Sequence, residues 1–212
     1  MTDPDSSFIT AAQAIIALGH RFDARGLAPA TAGNYSVRLD DGSFAVTVSG
    51  AHKGRLTAEH VMRVDAAGTS LDGKKPSAET LLHTLVYAQD PGAGAVLHTH
   101  SIAGTVLSRA LAGEDVLRLT GYELLKVFPG IHTHDATVAL PLVDNTQDMV
   151  ALAAQLAPIL AGQSPIVPAF YIRGHGLYAW GPTIETAEYV VEACEFLLQC
   201  AWEEWKAGGG VS

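Results

Sequence analysis

The sequence predicts an α/β fold with a central mixed, largely antiparallel sheet covered by helices. Two observations carry that expectation. Helical and strand-like periodicities interleave along the 212 residues, the order that places helices against the faces of a sheet. Hairpin signals also occur, at Asp41-Gly42 and around "RGHG", and hairpins are foreign to a purely parallel sheet. No repeat or linker-like break divides the chain, and its length suits one sizeable core, so residues 1–212 are expected to form one domain.

The elements follow in order. "DSSFITAAQAIIALGHRFDARGLA" reads as a helix: Ser6 or Ser7 caps it, Phe8, Ala12, Ile15, Leu18 and Phe22 form one stripe, and Gly26 ends it. "NYSVRLDDGSFAVTVSG" alternates apolar and polar residues about its turn, and "EHVMRVDAAG" is strand-like. "PSAETLLHTLVYAQD" is a helix with Pro76 and Ser77 at its start. The strand "GAVLHTHS" leads into a helical "IAGTVLSRALAG", then a short helical "TGYELLKVF" and a strand "TVALPLVD". "TQDMVALAAQLAPILAG" is a helix that Pro158 kinks or ends early. "PIVPAFYIRGHGLYAWG" gives two strands around a His-Gly turn. "TIETAEYVVEACEFLLQCAWEEWK" is a long amphipathic helix, with "AGGGVS" fraying after it.

Composition excludes several classes. Lys plus Arg is 13 and Asp plus Glu is 22, a formal net charge of −9, so neither nucleic acid nor an anionic membrane is an expected partner. The start carries acid where a signal peptide carries positive charge, and no apolar run reaches spanning length. Cys194 and Cys200, six apart on one helix, read as reduced, half-buried thiols. A cytoplasmic protein is expected.

"GAVLHTHS" carries the first chemical signal. Residues two apart on a strand share a face, so His98 and His100 can converge on one ion with Thr99 turned away. Three imidazoles with an open fourth position suit catalytic zinc, and Gly-flanked His175 in "YIRGHGLYAWG" is the candidate third ligand. The bland alternative is chance, since the chain holds nine histidines. "GIHTHDATV" repeats the spacing at His132 and His134, but follows Pro129-Gly130 without a buried run and reads as an exposed or subunit-facing loop. His20, His52, His60 and His83 read as structural or surface residues.

Small residues, hydroxyls and free amides recur in "TAGNYS", "VSGAHKG" and "KPSAET", where Asn34, Ser49, Gly50 and Ser77 could form a phosphate cup. The alternative is two ordinary turns and an ordinary helix cap. Glu79, in a first helical turn, and Glu123, in an otherwise apolar short helix, are the candidate proton carriers; composition does not choose between them.

"GNYS", "VSG", "KPSAE", "HTHS" and "RGHGLYAWG" occur here in the order and spacing of the class II aldolase/adducin head family, and the chain resembles that family from about Thr31 to the last helix. "GYELLK" and "PLVDNTQD" make it most similar to the dehydratase branch of methionine salvage. The resemblance implies a three-layer α/β/α fold, one zinc ion per subunit, and a homotetramer with active sites near subunit boundaries. It implies His98, His100 and His175 as zinc ligands, and Asn34, Ser49, Gly50 and Ser77 as phosphate-binding positions. Glu123 matches the dehydratases' acid/base. Glu79 matches the aldolases' catalytic glutamate, which some dehydratases replace. Ala78 departs from a second serine of several aldolases, leaving Lys53 or a neighbouring subunit to make up a phosphate donor.

The implied substrate is a five-carbon ketose phosphate bearing a methylthio group, losing water to give a 2,3-diketone; Leu125 and Phe128 are candidate contacts for its methylthio group. Two rivals remain: a sugar-phosphate aldolase or 4-epimerase relying on Glu79 and a late tyrosine such as Tyr178 or Tyr189, and a non-catalytic adducin-head-like interaction module.

Overall fold

The computed structural model describes residues 4–162 and 167–208. Helix α1 (Pro4–Ala24) leads to strands β1 (Asn34–Arg38), β2 (Phe44–Thr47) and β3 (Val61–Val64), then α2 (Thr80–Gln89), β4 (Ala95–Thr99) and α3 (Ile102–Ala110). Strand β5 (Val116–Thr120), a short 3-10 helix (Glu123–Val127), β6 (Thr137–Val143) and α4 (Met149–Ala161) follow. Strands β7 (Ala169–Ile172) and β8 (Gly176–Gly181) and helix α5 (Ile184–Lys206) complete the order. Among the described residues, no helix is long and apolar enough to cross a membrane.

All eight strands form one sheet in the order β3-β2-β1-β4-β8-β7-β6-β5. Every pairing is antiparallel except β6 with β7, so the sheet is mixed and largely antiparallel, as the hairpin signals required. Alternation along the strands supplies both faces with apolar side chains. Leu97, Ala95, Leu177 and Ala179 pack with Ile15, Leu18, Leu107, Val191 and Leu197 of α1, α3 and α5. Val96, Phe170, Tyr178 and Trp180 pack with Leu82, Val86, Leu152 and Leu156 of α2 and α4. The result is the expected three-layer α/β/α arrangement.

The structure corrects four local expectations. β5 stands largely in the stretch between two helical segments where the sequence reading assigns no element, and "VLRLT" alternates buried Leu117 and Leu119 with exposed Arg118 and Thr120, a half-covered edge strand. α1 extends back to Pro4, so Ser6 and Ser7 lie inside it rather than at its cap. α2 starts at Thr80 with Glu79 at the N-cap position, not at Ser77, because Pro76 bridges back to Val48 and holds that segment extended. α4 runs on through Pro158 to Ala161. The carbonyl that Pro158 leaves without its helical partner, four residues earlier, belongs to Ala154 on the exposed side of the helix. Cys194 is buried outright, and Cys200 is half-buried. Of "AGGGVS" and "PIVPAF", residues 209–212 and Pro165-Ile166 lie outside the described residues.

Arg173 ties the β7–β8 turn to the fold. Its Nη1 donates to the carbonyls of Ser108 (2.8 Å) and Leu111 (2.6 Å), Nη2 to Glu114 O (2.7 Å), and Nε to Asp144 Oδ1 (2.7 Å). The Gly174 amide donates to Ser108 Oγ at 2.9 Å. One guanidinium thus satisfies carbonyls at the C-terminal end of α3, where the helix dipole also favours a cation, and it anchors the turn that carries His175. Arg173→Ala is expected to cost about 2 kcal/mol, roughly 4–8 °C in Tm, and to weaken metal uptake. Arg173→Lys should restore little, because an ammonium cannot reproduce the fork. Thermal melts and metal titration check both.

Candidate metal centre

β4 places the first histidine by alternation. Val96 and His98 face the α2/α4 layer, while Leu97 and Thr99 face the other, where Thr99 Oγ1 donates to Glu195 Oε1 of α5 (3.1 Å). His98 is fully buried. Register sets it beside Tyr178 of β8, whose ring stacks on its imidazole at 4.1 Å and 17°. His98 Nδ1–H donates to Leu177 O at 2.9 Å, which leaves Nε2 as a bare acceptor. His100 lies just past the strand, held by its amide donating to Leu27 O at 2.9 Å. His175 is in the β7–β8 turn directly opposite.

The three imidazoles form a triangle, with centroid separations of 4.6, 5.0 and 4.9 Å. One potential ligand atom from each lies within 4.8 Å of the others. Glycine makes the approach possible: a Cβ on Gly176 would strike Thr99 O and come within 2.7 Å of His98 Cε1. A Cβ on Gly33, at φ +80°, would come within 2.7 Å of His98 O.

The donor set fits a divalent cation. His98 Nε2 points at His100 Nε2, 2.9 Å away, so a proton of His100 or a cation can sit between them. Burial holds His98 well below the ordinary imidazole value, and burial together with His175 brings His100 down to about 4. Both are therefore unprotonated at neutral pH, the form that ligates. His175 Nδ1 is buried with no partner among the described residues. Three converging imidazoles with room beside them match an open late-metal site.

Glu79, one of the two candidate proton carriers, stands beside this triangle. At the N-cap of α2, its Oε1 lies 3.1 Å from His175 Nε2 and its Oε2 lies 3.9 Å from His98 Nε2. Asn34 Nδ2 donates to Oε2 at 2.5 Å. Burial pushes the carboxyl up, but the hydrogen bonds it accepts from His175 and from the Asn34 amide help to outweigh it and hold it at about 2.

A pocket of about 150 Å³ opens beside the histidines. Thr31, Gly33, Asn34, Ser49, Gly50, Ser77, Glu79, His100 and His175 are on its wall, so the structure brings all four phosphate candidates to the triangle. Their donors are unequal. The Asn34 side chain is engaged by Glu79 and His83, the Ser49 amide donates to Lys75 O, and Ser77 Oγ accepts from the Glu79 amide at 3.3 Å rather than capping α2. Lys53 is buried behind the wall, and its Nζ donates to Thr31 O (2.9 Å) and Ala51 O (2.6 Å). Burial lowers it to about 8.

Glu123 is not brought there by its own chain. It follows the edge strand β5, is exposed rather than buried among apolar neighbours, and pairs with Lys126 and, at 3.9 Å, His134. The hydrogen bond and charge of Lys126 lower its carboxyl. His132 and His134 are exposed, with His134 3.2 Å from Asp135. Leu125 and Phe128, expected as methylthio contacts, are instead buried in the core under α5. Tyr178 presents its ring to His98, and Tyr189 lines a 710 Å³ apolar cavity at the opposite end of β8 with Trp180 and Pro182. A further cavity of about 530 Å³, with Ile102, Asn145 and Gln147 on its wall, opens on the other side of His100 and His175. Sequence reading missed His83 and Tyr178 as supports of the site. The i, i+4 spacing of Glu79 and His83 on one helix face was the available signal for the first.

A three-layer α/β/α fold with a histidine triad at the mouth of its central strands defines a class of metal-site domain. The chain belongs to the class II aldolase and adducin N-terminal domain family, whose model matches residues 13–202. It is 52% identical to a methylthioribulose-1-phosphate dehydratase of Gluconacetobacter diazotrophicus over 97% of both chains. It is also 52% identical to one of Pseudomonas paraeruginosa, over 89% of this chain and 91% of that one. Among solved structures it is similar to an L-fuculose-1-phosphate aldolase from Thermus thermophilus, with a TM-score of 0.67 and 28% identity over 92% of each chain.

The depressed histidines make stability pH-dependent. With His83 and His100 near 4 in the fold and 6.5 as ordinary values, the unfolded chain binds more protons between those limits. Stability therefore falls as pH falls through that window. Metal-free protein should lose Tm steadily from pH 6.5 to 4, with bound zinc opposing the loss; a flat profile would contradict the burial of these rings.

Proposed function

We propose that the chain is a zinc-dependent methylthioribulose-1-phosphate dehydratase of methionine salvage. It acts as a cytoplasmic homotetramer of one class II aldolase-like domain per subunit, with one zinc ion in each. The observation that carries the reading is the open triangle of His98, His100 and His175 beside a pocket walled by Asn34, Ser49, Gly50 and Ser77. A metal end and an anion end lie side by side. The identity to dehydratases over nearly the whole chain supports the substrate.

His98, His100 and His175 would hold the ion, which when bound would supply Lewis-acid polarisation of the substrate carbonyl and so acidify the neighbouring C3 proton. The small-residue pocket takes the phosphate, whose remote binding energy orients C3. Lys53 fixes the Thr31 and Ala51 loops and adds a positive charge behind them. The 530 Å³ cavity across His100 and His175 offers Ile102 to the methylthio end. Glu123 is the proton carrier: it takes the proton from C3 and returns it to the C4 hydroxyl, which leaves as water as the C3–C4 double bond forms. The resulting enol ketonises to 5-methylthio-2,3-dioxopentyl 1-phosphate. Because Glu123 stands exposed on its own chain, this role assigns it to the site of a neighbouring subunit.

One observation favours the aldolase alternative: Glu79, not Glu123, stands at the triangle of its own chain. The two readings separate by substitution. Glu123→Gln should lower dehydration by about 10²–10⁴-fold while keeping its zinc, and diketone formation on metal-assayed protein measures it. If Glu79→Gln alone abolishes turnover and wild type cleaves an aldol phosphate instead, the aldolase reading replaces this one. Stripping zinc with a chelator should abolish turnover, and zinc should restore it.

If a tetramer delivers Glu123 to its neighbour, activity should depend on assembly. Mixing Glu123→Gln subunits with subunits lacking His98 should regenerate active sites from two inactive parents, as each hybrid boundary can combine an intact triad with an intact Glu123. No recovery on mixing, with subunit exchange verified, would place the proton carrier in the metal's own chain.

A further inference from the structure

The side of Glu79 away from the histidines is held by a buried chain of polar groups that starts at Asn34 on the pocket wall and runs on behind it. Asn34 Nδ2 meets Glu79 Oε2, and Asn34 Oδ1 meets His83 Nε2. His83 Nδ1 lies 2.7 Å from Ser36 Oγ, which lies 2.9 Å from Tyr87 OH. Asn34, Ser36, His83 and Tyr87 are all buried. β1 and α2 supply the members alternately, so the chain also ties that strand to that helix.

The direction of every hydrogen bond in it is determined. A carboxylate only accepts, so Asn34 must turn its NH₂ to Glu79. Its carbonyl oxygen then faces His83, which must donate from Nε2–H. Neutral imidazole carries one proton, so Nδ1 is bare and Ser36 Oγ–H must donate to it. Ser36 has then spent its proton, and Tyr87 must donate to Ser36. Burial keeps the ring neutral, lowering it to about 4. Reversing any one bond would leave two acceptors or two donors facing each other in a dry interior, a cost of about 1–3 kcal/mol.

We propose that His83 is a positioning residue: its Nε2–H fixes the amide orientation of Asn34, which in turn holds the Glu79 carboxylate against the histidine triad. Asn34 is thereby committed to Glu79, and its side chain is a spacer between α2 and the triad rather than a free phosphate donor. The inference rests on the reading of this pocket as the catalytic site, but its first test does not.

That test is nitrogen-15 NMR of His83 in the metal-free wild-type chain. The expected result is the neutral Nε2–H tautomer; an Nδ1–H tautomer or an imidazolium at neutral pH would overturn the proposal. The second test is kinetic, on zinc-loaded protein with metal content measured. His83→Leu should lower kcat about tenfold or more with KM changed less than about threefold. His83→Gln, whose amide nitrogen can stand near the lost Nε2 donor, should recover most of that loss. Equal losses in both variants would make His83 merely structural, and an unchanged kcat in His83→Leu would remove it from the site.

Should His83→Leu fail to fold, Ser36→Ala decides. It removes the donor to Nδ1 but leaves the Asn34 carbonyl oxygen facing Nε2, so His83 should keep its Nε2–H tautomer, and an Nδ1–H signal would count against the directed chain. If wild type forms no diketone but His83 shows the expected tautomer, the proposed substrate falls and the positioning role stands.

Discussion

The antiparallel pairing of β4 with β8 is the constraint on which the rest of the site depends. Its register sets His98 beside Tyr178 and Thr99 beside Leu177. It also brings the β7–β8 turn, with His175, against the end of the strand that leads to His100. A slip of one residue would turn His98 to the α5 side of the sheet and break the triad. That register is pinned by large side chains on one face, where Phe170 and Tyr178 stack at 4.8 Å and Tyr178 stacks in turn on His98. On the other face Thr99 bonds to buried Glu195. Core packing and ligand placement are therefore one interaction, not two.

The site sits where the sheet can host polar groups without exposing its core. β4 is central, flanked by β1 and β8, and its buried run ends at Thr99. The first atoms beyond it need partners. Leu27 O takes the His100 amide, Leu177 O takes the His98 ring, and the turn after β7 is tied to α3 through Arg173. Ligand precision thus comes from the scaffold, with each first-contact residue held by a backbone carbonyl or a stacked ring.

Much of this was legible in the sequence, and the failures have physical reasons. Strand alternation announced His98 and His100 because a period of two is a local property, and glycines on both sides of His175 announced a tight approach. The β1–β2 hairpin was legible in Asp41-Gly42, where Gly42 has φ +83°. β5 went unassigned because an edge strand with one covered face offers only two buried leucines, too few to mark a strand. Glu79 and Glu123 could not be told apart, since burial decides their chemistry and burial is a tertiary quantity. The role of His83 was hidden for a similar reason, because its partners Asn34 and Ser36 lie 49 and 47 residues away along the chain.

The arrangement also explains how a chain with a formal net charge of −9 can suit a phosphate ester. Its long-range field opposes an anion, so attraction has to be local and short-ranged. Lys53 provides part of it from a buried position, where its charge is poorly screened, and Glu79 lies close enough to pull its proton affinity upward against burial. Glu79 would by itself repel the same phosphate, and the structure limits that repulsion by engaging the carboxylate with His175 and Asn34. A divalent ion on the three histidines would then leave the site net positive although the chain's formal net charge is negative. Specificity for a doubly charged, metal-chelating substrate follows from that inversion, since a ligand lacking either the phosphate or the carbonyl would face the unfavourable field with only half of the compensation.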